Sequence, residues 1–239
     1  MWSALLLAIA LSSGARDVSA PLGSEPWVWQ PEPGSIELFV GGIKMGKSHA
    51  ARVRTRCVRR MLAWDPQRDE PELGHGRVTV GQLEQLEHRL GAGVVRLAVR
   101  PTGWSDAEVI AEFDRFCRCA WRVGGLCVKV DEAGGVVDPR MWGGAFNKVI
   151  REGRHRSLSL VIVGQRFPMS PVLARDNAER LVVFHHGFDD APEVAKRLSG
   201  RGVMVTPEQV AELARHQYIE WTPHEGARMR PPLRGERST

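Results

Sequence analysis

The feature that most constrains this chain lies at residues 36–50, IELFVGGIKMGKSHA. An apolar run short enough to be a buried strand meets a loop with glycines at 41, 42 and 46, and a helical pattern opens at Lys47. Residues 41–48 fit G-x-x-x-x-G-K-[ST] in the strand-loop-helix setting that gives the pattern its meaning. Glycines let successive backbone N–H groups turn inward, and the following helix aims its positive end at the same point. The competing reading is a glycine turn with a solvated lysine, and the flanking strand and helix count against it.

The expected nucleotide-binding stretch is therefore Gly41, Gly42, Ile43, Lys44, Met45, Gly46, Lys47, Ser48 and His49. Lys47 reaches the β- and γ-phosphates of ATP, and the Ser48 hydroxyl ligates Mg²⁺. A phosphate loop needs a carboxylate at the end of a neighbouring strand, and residues 126–132, LCVKVDE, supply one. Asp131 is expected to serve the metal through water, and Glu132 to orient and deprotonate the attacking water. A third strand, LVIVGQ at residues 160–165, ends in Gln165, suited to contact the γ-phosphate or the water. Its bland alternative is an amide satisfying loop backbone. The run REGRHRSLS before that strand carries Arg151, Arg154, His155 and Arg156. Arg154 or Arg156 is a candidate to reach a neighbouring subunit's γ-phosphate; the alternative is a basic helix end favouring the dipole.

The remaining segments alternate between strand-like and helix-like. Residues 47–63 read as one helix with Arg52, Arg56, Arg59 and Arg60 on its outer face, a solvated face or a DNA-facing stripe. Residues 66–76 read as a charged loop, 82–90 as a short helix and 94–99 as a strand. Ser105 and Glu108 form a capping box ahead of a helix with apolar residues at 109, 110, 113, 116, 117 and 120. Asp138-Pro139 reads as a helix start, with Met141, Trp142, Ala145, Phe146, Val149 and Ile150 on one face. Further strands are expected near residues 158–163, 181–184 and 217–221, with a helix from Thr206-Pro207. His185 and His186 have no metal-spaced partner and read as structural. This alternation predicts an α/β fold with a mostly parallel sheet covered on both faces. The divisions are residues 1–35 as an apolar segment and linker, 36–222 as the domain, and 223–239 as a basic, disordered tail.

The net charge of +5 over 239 residues is compatible with an anionic partner and does not require one. Cys57, Cys117, Cys119 and Cys127 form no CxxC pair and no zinc spacing, which points to free, buried thiols and a reducing compartment. Residues 1–20, MWSALLLAIALSSGARDVSA, hold an apolar stretch too short to span a membrane, with small residues where a signal peptidase cuts but no preceding Lys or Arg. Export, a packed helix and a start codon placed too early are the open readings.

The order GGIKMGKS, LCVKVDE, then GRHRSLSLVIVGQR resembles the FtsK–HerA superfamily of DNA-pumping ATPases. The small size and LARDNAERLVVF resemble the genome-packaging ATPases of tailless, membrane-containing viruses. The resemblance implies a RecA-like core, ATP with Mg²⁺, a homo-oligomeric ring, commonly a hexamer, and double-stranded DNA moved through its centre. By position it carries over Lys47, Ser48, Asp131, Glu132 and Gln165, with Arg154 or Arg156 as the trans arginine. It also implies capsid-vertex or portal contacts and a place in the host cytoplasm or virion, with membrane contact left open by residues 1–35. The alternatives are a filamentous-phage assembly ATPase of the Zot kind, disfavoured by the lack of a long apolar run after Trp121, and a non-catalytic nucleotide-binding protein of a virion or mobile element. An exported binding protein is a third class, resting on residues 1–20 alone.

Overall fold

Nine strands form one sheet in the order β3-β4-β2-β5-β6-β1-β7-β8-β9. The structure, a computed structural model, describes residues 31–68, 76–91, 93–135, 144–199 and 203–233. The strands are β1 (Ile36–Val40), β2 (Arg60–Trp64), β3 (Arg77–Thr79), β4 (Val95–Arg100), β5 (Cys127–Val130), β6 (Ser159–Gly164), β7 (Arg180–Val183), β8 (Tyr218–Thr222) and β9 (Gly226–Arg230). The first seven in that order run parallel, and β8 and β9 add an antiparallel hairpin beside β7. The helices are α1 (Lys47–Thr55), α2 (Val80–Leu86), α3 (Asp106–Val123), α4 (Gly144–Glu152), α5 (Val172–Asn177), α6 (Ala191–Leu198) and α7 (Pro207–Ala211).

Period-two alternation divides the core into two layers. Leu38 and Val40, Leu62 and Trp64, Leu160 and Ile162 face the larger cluster, where Phe113, Phe116, Val149 and Val194 arrive from helices α3, α4 and α6. Phe39, Met61, Ala63, Val161, Val163 and Val182 face the smaller cluster, which α1 covers with Ala50 and Ala51. Trp64 meets Phe113 edge-on at a centroid distance of 5.1 Å, inside the range where the ring quadrupoles attract.

The long basic helix expected over residues 47–63 is corrected: α1 ends at Thr55, and Arg60–Trp64 is an interior strand. The Thr55 hydroxyl donates to the Ala51 carbonyl, and the Arg96 guanidinium takes the carbonyls of Thr55, Arg56 and Val58, which closes the helix end. MLAW buries on both faces, and a short continuous apolar run carries no period to separate strand from helix. The expected arginine stripe dissolves with it. Only Arg52 lies within α1; Arg56 and Arg59 are exposed after it, and Arg60, on β2, donates to the carbonyls of Gly125, Gly93 and Leu90.

The disordered tail is also corrected, since residues 226–230 pair with β8 as an edge strand. The second helix starts at Val80, two residues earlier than expected, under a capping box from Thr79 and Gln82. The Ser105–Glu108 box stands as read. The Asp138-Pro139 helix start, Met141 and Trp142 lie outside the described residues, as do residues 1–30. Among the described residues no helix is long and apolar enough to cross a membrane. Cys117, Cys119 and Cys127 are buried free thiols, the latter two pushed up to about 12 by burial, and Cys57 is half-buried.

Candidate nucleotide site

The sheet order places the candidate site. Strand β6 lies between β1 and β5, with Val40 level with Gly164 and Val130 level with Ile162. The phosphate loop after β1, Gln165 after β6 and the Asp131–Glu132 pair after β5 therefore share the carboxyl end of the sheet. Two strand spacings, about 10 Å, separate the loop from the acidic pair. A crevice at the carboxyl ends of parallel strands is where open α/β sheets bind ligands.

Loop shape comes from three backbone positions. Gly41 has φ 147°, and a Cβ there would lie 2.6 Å from Phe184 Cβ, so no other residue fits without moving β7. Gly46 has φ 105° and is the left-handed cap of α1, while Lys44 adopts φ 61° despite its side chain. The Gly42 N–H donates to the His185 carbonyl at 2.8 Å, anchoring the loop to the segment after β7. The first turn of α1 carries no acid, which keeps the positive end of its dipole uncompensated. Ile43 and Lys44 are exposed, Met45 packs on the smaller core cluster, and Ser48 and His49 are half-buried in the first turn of α1.

Lys47 is 8% exposed, and its Nζ donates to the Gly42 carbonyl at 2.7 Å. Burial lowers its pKa, while Glu132 and Asp131 oppose that fall. The ammonium thus lies in the field of the acidic pair, with a loop carbonyl as partner. A glycine-shaped loop leading into a helix amino terminus, a buried lysine and an opposing carboxylate suit a triphosphate. The Ser48 hydroxyl and the Asp131 carboxylate are the oxygen donors that Mg²⁺ takes, Ser48 directly and Asp131 across the sheet through water.

Asp131 is 6% exposed and accepts from Lys129 Nζ at 3.1 Å. Lys129 is fully buried on β5, and desolvation lowers its pKa against the pull of Asp131. Asp65, at the end of β2 and paired with Arg100 at 3.3 Å, adds to the negative field on Lys129. Sequence reasoning quoted Lys129 without using it; the available signal was one charge inside LCVKV.

Glu132 stands at φ 54°, a left-handed conformation costly for a residue with a Cβ. Gln165 Nε2 donates to its Oε1 at 2.6 Å, and Gln67 Nε2 donates to its Oε2 at 3.0 Å. Glu132 and Gln165 open onto a cleft of about 350 Å³ that Gly134, Arg166 and Met169 also line. Gln67 follows β2, in the stretch 66–76 that reads in sequence as a charged loop with nothing to single it out.

His185 and His186 do more than fill space. The His186 Nδ1–H donates to the Phe184 carbonyl at 2.8 Å, and Nε2 accepts from the Phe167 N–H at 3.3 Å. Arg166 forms a two-bond pair with Asp190, holding the Asp190 carboxyl below its ordinary range. The segment after β7 therefore ties the phosphate loop to the loop after β6. His216, at φ 68°, lies so close to Gly46 that a Cβ there would meet its Nδ1 at 2.8 Å.

The arginine cluster sits elsewhere. Gly153–Arg156 is a 3₁₀ turn entering the amino end of β6, about 20 Å along the strand from Gln165. Arg156 donates to the carbonyls of Trp121 at 3.1 Å and Arg122 at 2.7 Å, capping α3. Arg151, Arg154 and His155 are exposed at this opposite end. The structure brings Lys47, Ser48, Asp131, Glu132 and Gln165 together and leaves Arg154 and Arg156 outside that group.

No family model matches the chain, and a search of curated proteins also finds no match. Solved structures do resemble it. The genome packaging NTPase B204 from Sulfolobus turreted icosahedral virus 2, in complex with AMPPCP, superposes with a TM-score of 0.64 at 14% identity, covering 85% of this chain and 100% of that one. VirB4 of Thermoanaerobacter pseudethanolicus gives 0.61 at 11% identity, covering 84% and 90%. The bacterial conjugative coupling protein TrwBdeltaN70 gives 0.60 at 11%, covering 85% and 86%. Likeness at such identity establishes the fold, and that fold is the RecA-like P-loop core that the resemblance to the FtsK–HerA superfamily implied.

Proposed function

We propose that the protein is a DNA-translocating ATPase, working as a ring of identical subunits to package a genome. The observation that carries the reading is the meeting of Lys47, Asp131, Glu132 and Gln165 at the carboxyl end of the sheet, from three separate strand ends. A glycine turn with a stray lysine has no reason to collect these partners.

In this reading the backbone N–H groups that follow Gly42, up to Ser48, and Lys47 bind the triphosphate. Lys47 exchanges its bond to the Gly42 carbonyl for phosphate oxygens, whose charge replaces the partner it gives up. Ser48, and Asp131 through water, would hold Mg²⁺, which would supply neutralisation of phosphate charge. Glu132 accepts a proton from the water that attacks the γ-phosphorus; the bond to the β,γ-bridging oxygen breaks, and ADP and phosphate leave. The two glutamine amides each take one lone-pair site of Glu132, which orients the carboxylate and leaves a second site on each oxygen for the water proton. Gln165 is placed to report the γ-phosphate to the Arg166–Asp190 loop pair.

An arginine from a neighbouring subunit completes the site in this account. Arg154 suits that part better than Arg156, whose guanidinium already caps α3. The packaging assignment draws on the likeness to B204, itself a viral genome packaging NTPase. The direct test is displacement of a third strand from a DNA triplex. The purified chain should displace it with ATP and not with a non-hydrolysable analogue. ATP turnover without displacement, on duplexes with either polarity of triplex, would remove DNA movement from the proposal and leave an ATPase.

A further inference from the structure

The chemistry described above uses one side of the phosphate loop. Gln165, Asp131 and Glu132 stand on the β6–β5 side, where they receive the γ-phosphate end of a triphosphate. The other neighbours of β1 are β7 and then β8. A triphosphate held with its γ-phosphorus toward Glu132 therefore sends its ribose and base toward β7 and β8.

His216 stands on that side. Strand β8 runs antiparallel to β7, with Ile219 level with Val183, so the chain enters β8 over the carboxyl end of the sheet. The turn that leads in, residues 214–217, is closed twice. The Gln217 N–H donates to the Ala214 carbonyl at 3.0 Å, and the Gln217 side-chain oxygen accepts from the Ala214 N–H at 3.0 Å. His216 lies inside this turn at φ 68°. Histidine visits that region more readily than most residues with a Cβ, and still at some cost in strain. Tyr218, 1% exposed, has its ring 5.5 Å from that of Phe184. Phe184 in turn underlies the phosphate loop, since a Cβ on Gly46 would be 3.4 Å from its Cε1. Two buried rings thus tie the turn to the loop.

The imidazole reaches the loop itself. A Cβ on Gly46 would meet Nδ1 at 2.8 Å and Cγ at 3.7 Å, so the Nδ1 edge of the ring lies against the last glycine before Lys47. The residue is nonetheless exposed. With one edge seated and the residue open to solvent, the ring is presented rather than packed. Phosphate oxygens look for N–H groups and Lys47, and a ribose has no flat face. The part of a nucleotide that suits a planar π ring is the base.

We infer that the His216 imidazole stacks on the base of the bound nucleotide and fixes the base end of the substrate. This rests on the proposed nucleotide site and adds a contact from the β7–β8 side. It makes the substrate a nucleoside triphosphate, bound more tightly than its phosphates alone.

The test is binding of ATP and of inorganic tripolyphosphate, each with Mg²⁺, to the full chain by titration calorimetry. The variant is His216→Asn, because asparagine also accepts positive φ and keeps the turn but has no ring. ATP should bind the variant about 10-fold more weakly, the loss that goes with one stacked base, and tripolyphosphate should bind as before. The His216 ring protons are assigned in the NMR spectrum by their absence from the variant. They should move upfield when ATP is added, because they enter the ring current of the base, and should not do so with tripolyphosphate. Equal weakening of both ligands would overturn the stack and make His216 a prop for Gly46. Unchanged ATP affinity in the variant would overturn it as well. Either result, in a chain whose ATP binding still depends on Lys47, leaves the nucleotide site standing. An unsubstituted chain that binds neither ligand overturns the site and the stack together.

Discussion

The two ends of the central sheet are both rich in charge, and they use it differently. At the amino end, Glu37 (3% exposed) and Arg54 (5%) form a paired bond of 2.8 Å and 2.6 Å, extended through Arg180 to Glu220 and Arg230. Every carboxylate in that chain of contacts has a guanidinium, and the strands there run in ordinary extended conformation. At the carboxyl end, Gly41, Lys44, Gly46 and Glu132 all take positive φ. Lys47 is held by its bond to the Gly42 carbonyl, and Glu132 by neutral amides. The Glu37 chain of contacts is closed on itself, whereas Lys47 and Glu132 have neutral partners on positive-φ segments and are held ready for groups that come and go. The lesson is that a cluster of arginines in sequence says little until its end of the sheet is known.

The difference can be tested by breaking each end in turn. Glu37→Ala leaves the Arg54 guanidinium buried without its carboxylate and should cost about 3–5 kcal/mol of stability, read by denaturant unfolding. Nucleotide affinity of the remaining folded protein should be unchanged; loss of affinity at full stability would erase the distinction. Lys47→Ala should do the opposite. It removes two charge-assisted phosphate contacts at about 1.5 kcal/mol each, so ATP binding should weaken about 100-fold by titration with little change in unfolding.

A smaller effect concerns the segment that joins the loops. Burial lowers the pKa of His186 below 6.5, so the unfolded chain takes up its proton first as pH falls. Its contribution is complete above about 6.5 and is lost as pH drops below that value, at about 1.4 kcal/mol per unit until the folded pKa is reached. Thermal midpoints should fall between pH 7 and pH 5.5, and His186→Gln should flatten that slope. A slope unchanged in the variant would assign the effect to another group. The smallest effect is at the far end: Arg156→Ala should cost about 0.5 kcal/mol as a lost helix cap and leave basal turnover alone.

Legibility followed the same division. Residues 41–48, Asp131, Glu132 and Gln165 were readable because each sits just past a short apolar run, where chain direction alone fixes which end it occupies. Gln67 and Lys129 were not. Gln67 was lost in a charged stretch with nothing to single it out, and Lys129 because a buried lysine contradicts the composition expected of a core. Strand β9 was missed because GARMR is polar and basic, and its place depends on pairing with Tyr218–Thr222 rather than on any pattern of its own.

The central claim is that the carboxyl end is a working phosphoryl-transfer site driven by DNA. The most direct measurement is ATP turnover by the purified full chain, with and without double-stranded DNA, beside Glu132→Gln. The account predicts DNA-stimulated turnover, reduced about 1,000-fold in the variant, with ATP binding retained. Turnover in Glu132→Gln equal to that of the unsubstituted chain would contradict it.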